Sequence, residues 1–324
     1  MGDFKISIVI PAYNEVTNIP VLCRRVAEAM TEYDNYEILF VDDGSTDGSL
    51  AVLKRLAAHN PKIRYLSFSK NFGHQMALRA GINHAVGDCI ITMDADLQHP
   101  PEMLPCLVEK WLEGFEVVYT VREPNRSQPY LKRLTSDWFY RVLQYLTEVD
   151  IEKGAADFRL IDSRVADYLR QFRENDLFLR GIIAWLGFSQ AKISYHPALR
   201  HSGQTKYSFK KMLLLASAGL TSFTTKPLYL SVLLGFAISS FSVVYGLYAL
   251  FHHFVRNDVV SGWTSLILTI LLIGGIQLIV MGIIGIYLGK VFREVKQRPS
   301  YIVRESNVKR TSSHEFVPSY PAHL

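Results

Sequence analysis

Charge is missing from two long stretches of this chain of 324 residues: positions 227–251 and 264–289 hold no Asp, Glu, Lys or Arg. Each exceeds the roughly 20 residues that a helix needs to cross a bilayer core, so two membrane spans are expected. Nucleotide fingerprints are missing too. No Gly-x-Gly-x-x-Gly follows the first strand and no Gly-x-x-x-x-Gly-Lys-Ser/Thr occurs, which argues against a dehydrogenase and a P-loop ATPase. Cysteine is scarce: Cys23, Cys89 and Cys106 stand far apart with no Cys-x-x-Cys, so reduced thiols are expected rather than a disulfide framework. Asp3 and Lys5 open the chain and Pro11 cuts its first apolar run, so no secretory leader is expected. The net charge of +5 is mild, and no nucleic-acid partner follows from it.

What the chain does have is an alternation. Apolar, β-branched runs at 5–11, 36–41, 63–68 and 89–93 read as buried strands, and 18–30, 49–59 and 71–86 between them read as helices. That order predicts an α/β fold with a mainly parallel sheet and right-handed crossovers, in which ligands sit at the carboxyl ends of strands. Three such ends carry polar clusters: Tyr13 and Glu15, Asp42 and Asp43, and Asp94 and Asp96.

Asp94 and Asp96 are spaced to leave one face of a strand together. Paired hard oxygen ligands there suit Mg²⁺ or Mn²⁺ arriving with substrate phosphates. The other reading is that Asp96 caps the helix begun at Pro100 and Pro101. Arg122 is a fixed cation beyond the run 117–121, and 130–148 is a basic amphipathic helix, either of the domain or of a membrane interface. Asp157 and Arg159 place an acid and a base in an apolar run, as a chemical pair or a structural one. Arg200 and Lys206 bracket a Gly-containing, hydroxyl-rich loop that either closes over phosphates or is simply solvated.

Basic residues flank the pair of apolar stretches on their outer sides (Lys206, Lys210, Lys211 and Lys226; Lys290, Arg293, Lys296 and Arg298), and the short connection holds only Arg256 against Asp258. Both ends are therefore expected in the cytoplasm, with the connection outside. The expected divisions are a domain over 1–207, an interfacial helix over 208–226, spans over 227–251 and 264–289 joined by 252–263, and a basic segment over 290–324. The polar end of that segment, from about Ser306, reads as disordered. Small residues such as Gly285-x-x-x-Gly289 permit association of the spans or of subunits.

Several separated motifs, in order, resemble the family 2 glycosyltransferases of GT-A (Rossmann-like) fold: Ile8-Val9-Ile10-Pro11-Ala12-Tyr13-Asn14-Glu15, Val41-Asp42-Asp43-Gly44-Ser45-Thr46-Asp47 and Asp94-Ala95-Asp96-Leu97-Gln98-His99-Pro100-Pro101-Glu102. Within that family Asp157-Phe158-Arg159-Leu160, Phe178-Leu179-Arg180-Gly181 and Gly203-Gln204-Thr205-Lys206-Tyr207 resemble the polyprenyl-phosphate branch with two C-terminal spans, the bactoprenol glucosyltransferases. His99 departs from relatives, which often carry Asp there. The Gln-x-x-Arg-Trp signature of processive synthases is absent.

The resemblance implies that Pro11, Tyr13, Glu15, Phe40 and Asp42 surround the nucleoside of a nucleotide sugar, with Asp42 accepting from the base. It implies that Asp94, Ala95, Asp96 and Gln98 line the diphosphate and metal, and that Arg122, Arg200 and Lys206 hold donor or acceptor phosphates. Asp157 is the candidate catalytic carboxylate, or else it orients the acceptor or balances Arg159. The implied reaction moves glucose from UDP-glucose to a polyprenyl phosphate at the inner membrane surface with inversion. A GDP-mannose or UDP-aminosugar donor, or a non-catalytic scaffold of the same fold, are the alternatives.

Overall fold

A computed structural model describes residues 4–122, 155–172, 174, 178–195, 226–251 and 262–308. The expected contacts of Arg200 and Lys206, the helices at 130–148 and 208–225, and most of the connection between the apolar stretches lie outside these residues. The chain divides into two compact units: 1–136, 149–206 and 299–324 form the first, and 137–148 with 207–298 the second.

The first unit is built on one eight-stranded sheet. Its first half follows the sequence closely: β1 (Ile6–Ala12), α1 (Asn18–Ala29), β2 (Tyr36–Asp42), α2 (Ser49–His59), β3 (Ile63–Phe68), α3 (His74–His84) and β4 (Cys89–Thr92). Every residue of β1, β2 and β4 is buried, which explains their continuous apolar runs: both faces of a parallel sheet are covered by helices. Then come a 3₁₀ turn at Pro101–Met103, α4 (Leu104–Leu112), β5 (Val117–Arg122), β6 (Ala155–Asp162), α5 (Ser163–Gln171), α6 (Leu179–Trp185), β7 (Gln190–Tyr195) and, after the second unit, β8 (Val303–Ser306). The strand order is β7-β5-β6-β4-β1-β2-β3-β8. The β4–β1–β2–β3 run and the β5–β7 pair are parallel, whereas β6 runs antiparallel to both β4 and β5 and β8 antiparallel to β3. The sheet is thus mixed, with a parallel centre.

Two features differ from the sequence reading. Helix α3 starts at His74, not at 71, because Gly73 has φ +98° and its carbonyl accepts from the Met76 and Ala77 N–H groups. The basic C-terminal segment also returns to the sheet. β8 covers the β3 edge, Tyr301 stacks on Phe68 at 5.2 Å, and Ser300 Oγ accepts from the buried Arg79. A short polar edge strand has no periodicity to betray it, and its partner lies some 240 residues away, as in the Tyr65–Asn307 hydrogen bond.

The second unit contains α7 (Lys226–Phe251, 26 residues) and α8 (Trp263–Val295, 33 residues). Among the described residues one run is long and apolar enough to cross a membrane: Leu272–Val295 of α8, with a mean hydropathy of 2.1 and none of it buried in the protein. On α7, Tyr229, Val232, Leu233, Phe236, Phe241, Val243 and Val244 are all exposed. Large apolar side chains at that density on an open surface call for a non-aqueous neighbour.

Candidate active site

The carboxyl ends of β1, β2 and β4 and the amino end of the antiparallel β6 carry the polar groups, and the loops there are tied together by short hydrogen bonds. At the end of β1, Asn14 (φ +57°) donates its N–H to Ser45 Oγ at 2.9 Å, and its Oδ1 accepts from the Thr46 N–H at 2.8 Å. Asp47 accepts from the Val16 N–H and from Ser49, joining the β1 loop to the start of α2. Gly44 is required here: its φ is +68°, and a Cβ would lie 2.5 Å from the Lys70 carbonyl carbon.

The nucleoside candidates fall into two groups. Tyr13 is 41 % exposed on the β1 loop, and Glu15 beside it accepts from Asn18 at 2.5 Å. Pro11 is buried in β1, pairing with Val41 of β2. Asp42 is buried at the end of β2, with one oxygen accepting from the Ser45 N–H and the other from Ser67 Oγ at 2.8 Å. Phe40 corrects the sequence reading. It has no exposed surface and lies in the core with Ile8, Ile10, Ile19 and Leu22, so it supports the strand end from within instead of facing a ligand.

Past β4 the chain turns sharply. Leu97 adopts φ +62°, a conformation a branched residue takes only when its surroundings impose it. Asp96 Oδ1 accepts from the Gln98 N–H at 3.1 Å, and the helical segment begins only at Pro101, so Asp96 shapes its own loop and does not cap that helix. Ala95 is buried between the two acids.

His99 is fully buried, stacked on Phe158 at 5.1 Å and edge-on to Tyr195 at 6.0 Å. Its Nδ1 accepts from the Asp94 N–H at 3.0 Å, which leaves the ring proton on Nε2, 3.6 Å from Asp94 Oδ2. Arg122 Nη2 is 3.2 Å from the same Nε2, and its Nε donates to the Tyr195 hydroxyl at 2.9 Å. Two donors cannot share one neutral imidazole edge, so the Arg122 contact is packing and the guanidinium remains directed by Tyr195. Burial pushes the His99 pKa down and keeps the ring neutral. His99 is thus a neutral brace on the Asp94 backbone, packed against Arg122.

The antiparallel register pairs Thr92 with Arg159, and continuing it by two residues sets Asp94 opposite Asp157. Thr92 Oγ1 donates to the Asp157 carbonyl at 2.5 Å and fixes that approach. Asp157 is 7 % exposed and is gripped by Arg180 from α6 through two parallel hydrogen bonds of 2.7 Å each. Arg159 is farther away at 3.7 Å and spends a hydrogen bond on the Ala156 carbonyl, so Arg180, not Arg159, balances Asp157. Burial opposes ionisation of Asp157, but Arg180 and then His74 outweigh it and hold its carboxyl well below the usual range. The pKa of Arg159, which is buried, is lowered to about 10 by that burial despite the Asp157 charge.

His74 closes the cluster. Its Nε2 lies 3.5 Å from Asp94 Oδ1 and 3.5 Å from Asp157 Oδ2. The side chain is 43 % exposed, and despite partial desolvation these two acids raise the His74 pKa overall. The sequence reading does not name His74 or Arg180 as site residues; the Phe178-Leu179-Arg180-Gly181 motif is the available signal for the second.

Whether these residues suit a divalent cation turns on Asp94. Its Oδ1 is buried and makes no hydrogen bond, an uncommon state for a carboxylate oxygen. Asp94 and Asp96 together offer hard oxygen donors of the kind Mg²⁺ and Mn²⁺ take. Among the described residues no group of three or more His, Cys, Asp and Glu side chains surrounds such a position. The fit is therefore to a cation held by two carboxylates and completed by substrate phosphates and water.

Residues 7–166 match glycosyl transferase family 2. The chain is 42% identical over 301 residues to the uncharacterized glycosyltransferase YkcC of Bacillus subtilis (strain 168), covering 93% of each chain. It is 39% identical over 305 residues to the SfII prophage-derived bactoprenol glucosyl transferase of Shigella flexneri, covering 94% of this chain and 98% of that one. Among solved structures, the mannosyltransferase PcManGT from Pyrobaculum calidifontis, in complex with GDP-Man and Mn²⁺, aligns with a TM-score of 0.46 and 20% identity over 68% of this chain and 71% of its own. With a sheet whose strand ends gather paired acids, and full-length relatives of this identity, the chain is a glycosyltransferase and belongs to glycosyl transferase family 2, among relatives that include the bactoprenol glucosyl transferases.

Proposed function

We propose that this protein transfers glucose from UDP-glucose to a polyprenyl phosphate of the undecaprenyl type, at the cytoplasmic face of a membrane that α7 and α8 both span. The observation that carries the reading is the approach of two differently treated acids: Asp94, with a buried oxygen left unbonded, and Asp157, tied through both oxygens to Arg180. The names of the bactoprenol glucosyl transferases supply the acceptor and the sugar. The apolar surfaces of α7 and α8 support delivery of a lipid acceptor at a membrane.

In this reading Tyr13, Pro11 and Glu15 border the nucleoside, and Asp42 sets the strand end below it. Asp94 and Asp96, with Gln98, hold a divalent cation and the diphosphate, and Arg122, Arg200 and Lys206 attend the phosphates. A bound Mg²⁺ or Mn²⁺ neutralises charge that grows on the departing diphosphate.

The acceptor needs little help to become a nucleophile. The second pKa of a phosphate monoester is near about 6, so at neutral pH it is already mostly a dianion. Its oxygen attacks the anomeric carbon while the bond from that carbon to the β-phosphate oxygen breaks, and UDP leaves with the electron pair. A single displacement of this kind inverts the α-linked donor to a β-linked product. No proton has to be removed, and Asp157, held ionised by Arg180, acts by orientation and charge instead of as a base.

The test is a donor panel. Purified full-length protein with undecaprenyl phosphate, Mg²⁺ or Mn²⁺ and each labelled nucleotide sugar is expected to give labelled lipid from UDP-glucose. Labelled lipid from GDP-mannose or a UDP-aminosugar alone would replace the donor, and none from any sugar would leave only a scaffold.

A further inference from the structure

The loop between β3 and α3 is built more tightly than a simple connection requires. Asp43, the second acid of the Asp42-Asp43 pair, is 3 % exposed and accepts from two consecutive backbone groups, the Phe72 N–H at 2.6 Å and the Gly73 N–H at 3.0 Å. Phe68 and Phe72 meet edge to face at 5.6 Å, and Gly44 lies too close to Lys70 to carry a side chain. Gly73, at φ +98°, then turns the chain so that His74 becomes the first residue of α3. Asp43 is thus occupied in fixing a loop whose last step aims His74.

Where His74 is aimed has chemical meaning. Nε2 is equidistant, at 3.5 Å, from an oxygen of Asp94 and an oxygen of Asp157. Both neighbours are acceptors, so Nε2 carries a proton and presents it to either. Two carboxylates on adjacent strands repel each other, and Asp94 Oδ1 has no hydrogen bond of its own. A donor between them sets their spacing. On the functional reading above, one acid faces the leaving diphosphate and the other the incoming phosphate, so the gap His74 spans borders the reacting carbon.

We propose that His74 is a further positioning residue of the transfer reaction, bridging Asp94 and Asp157, and that Asp43 is what holds it in place through the 72–73 backbone. This rests on the glycosyl-transfer reading of the site.

The experiment compares full-length wild type, His74→Ala, His74→Gln, Asp43→Asn and the Asp43→Asn/His74→Ala double variant. It measures kcat and donor KM for transfer to undecaprenyl phosphate, and the calorimetric affinity for UDP with Mn²⁺. His74→Ala is expected to lower kcat by about 10²-fold, the cost of misplacing reacting groups by about an ångström. Its donor KM and UDP–Mn²⁺ affinity are expected to stay within about threefold of wild type, because donor capture does not depend on the bridge. His74→Gln restores an N–H near the Nε2 position and is expected to recover about tenfold. Asp43→Asn lowers kcat in the same direction, and the double variant is expected to be no slower than His74→Ala alone, since both act through one contact.

A His74→Ala enzyme as fast as wild type would overturn the proposal. So would a His74→Gln no better than alanine, or a UDP–Mn²⁺ affinity that falls in step with kcat. Additive losses in the double variant would overturn the part given to Asp43. A wild type that binds UDP but moves no sugar to the lipid would instead defeat the functional reading.

Discussion

Acids stand at both ends of the same sheet, and the two ends treat them differently. At the amino end of β2, Glu37 is 3 % exposed and surrounded by partners of the fold's own making: Ser7 Oγ at 2.6 Å, Lys5 Nζ at 3.2 Å, Arg64 Nε at 3.3 Å and the Val86 N–H at 3.3 Å. At the carboxyl end of β4, Asp94 is partly exposed and keeps one buried oxygen without a hydrogen bond. The first carboxylate is a structural element, satisfied on every side. The second keeps capacity for something from outside the chain, with His74 Nε2 its near neighbour at 3.5 Å. Asp157 is intermediate: satisfied by Arg180, yet set beside Asp94.

That contrast makes separable predictions. Asp96→Ala should have the largest effect, lowering transfer by about 10³-fold through lost stabilisation of the departing diphosphate, with an unchanged melting temperature. Steady-state transfer beside a thermal melt reads both.

Arg180→Ala should come next, since it strands a buried Asp157 charge. About 3 kcal/mol of stability is expected to go, the lower end for such a pair because Arg180 is itself a third exposed, and activity should fall with it. Denaturant unfolding in detergent measures the first, and a stable but inactive Arg180→Ala would limit Arg180 to the chemistry.

Glu37→Gln should cost about 1–3 kcal/mol and leave kcat of the folded fraction unaltered. A selective loss of kcat would erase the distinction between the two ends.

The smallest effect is a pH dependence. The carboxyl of Asp157 is depressed by Arg180 and His74, so its contribution to stability is present above its unfolded value near about 3.9 and is lost as pH falls through the folded one. Asp157→Asn is therefore expected to flatten the acid limb of the melting curve below about pH 4 and to leave the limb above pH 5 unchanged in slope.

The sequence made one half of this molecule legible and not the other, for physical reasons. The parallel run β1 to β4 announces itself because strands buried on both faces are continuous apolar runs separated by amphipathic helices. Asp94, Asp96 and Asp42 stand out in the sequence because they end such runs. Asp157 stands out as well, but its partner does not. Sequence proximity favoured Arg159, whereas the guanidinium that grips it comes from Arg180, on a helix whose placement depends on the whole antiparallel side. His74 was hidden inside what read as a helix, and only the left-handed Gly73 separates it from the loop. Phe40 is assigned to a ligand by resemblance, but in a strand buried on both faces its side chain has no exposed surface and packs with Ile8 and Ile10. β8 was illegible because four residues at a sheet edge carry no pattern of their own.

On the proposed function the nucleophile is already ionised when it arrives, and Asp157, committed to Arg180, is unavailable as a base. Transfer from the preferred labelled nucleotide sugar at pH 7 to undecaprenyl phosphate, compared with undecaprenol under the same conditions, tests it most directly. Labelled product is expected from the phosphate and none from the alcohol. Comparable transfer to undecaprenol would require a base in the site and would contradict it.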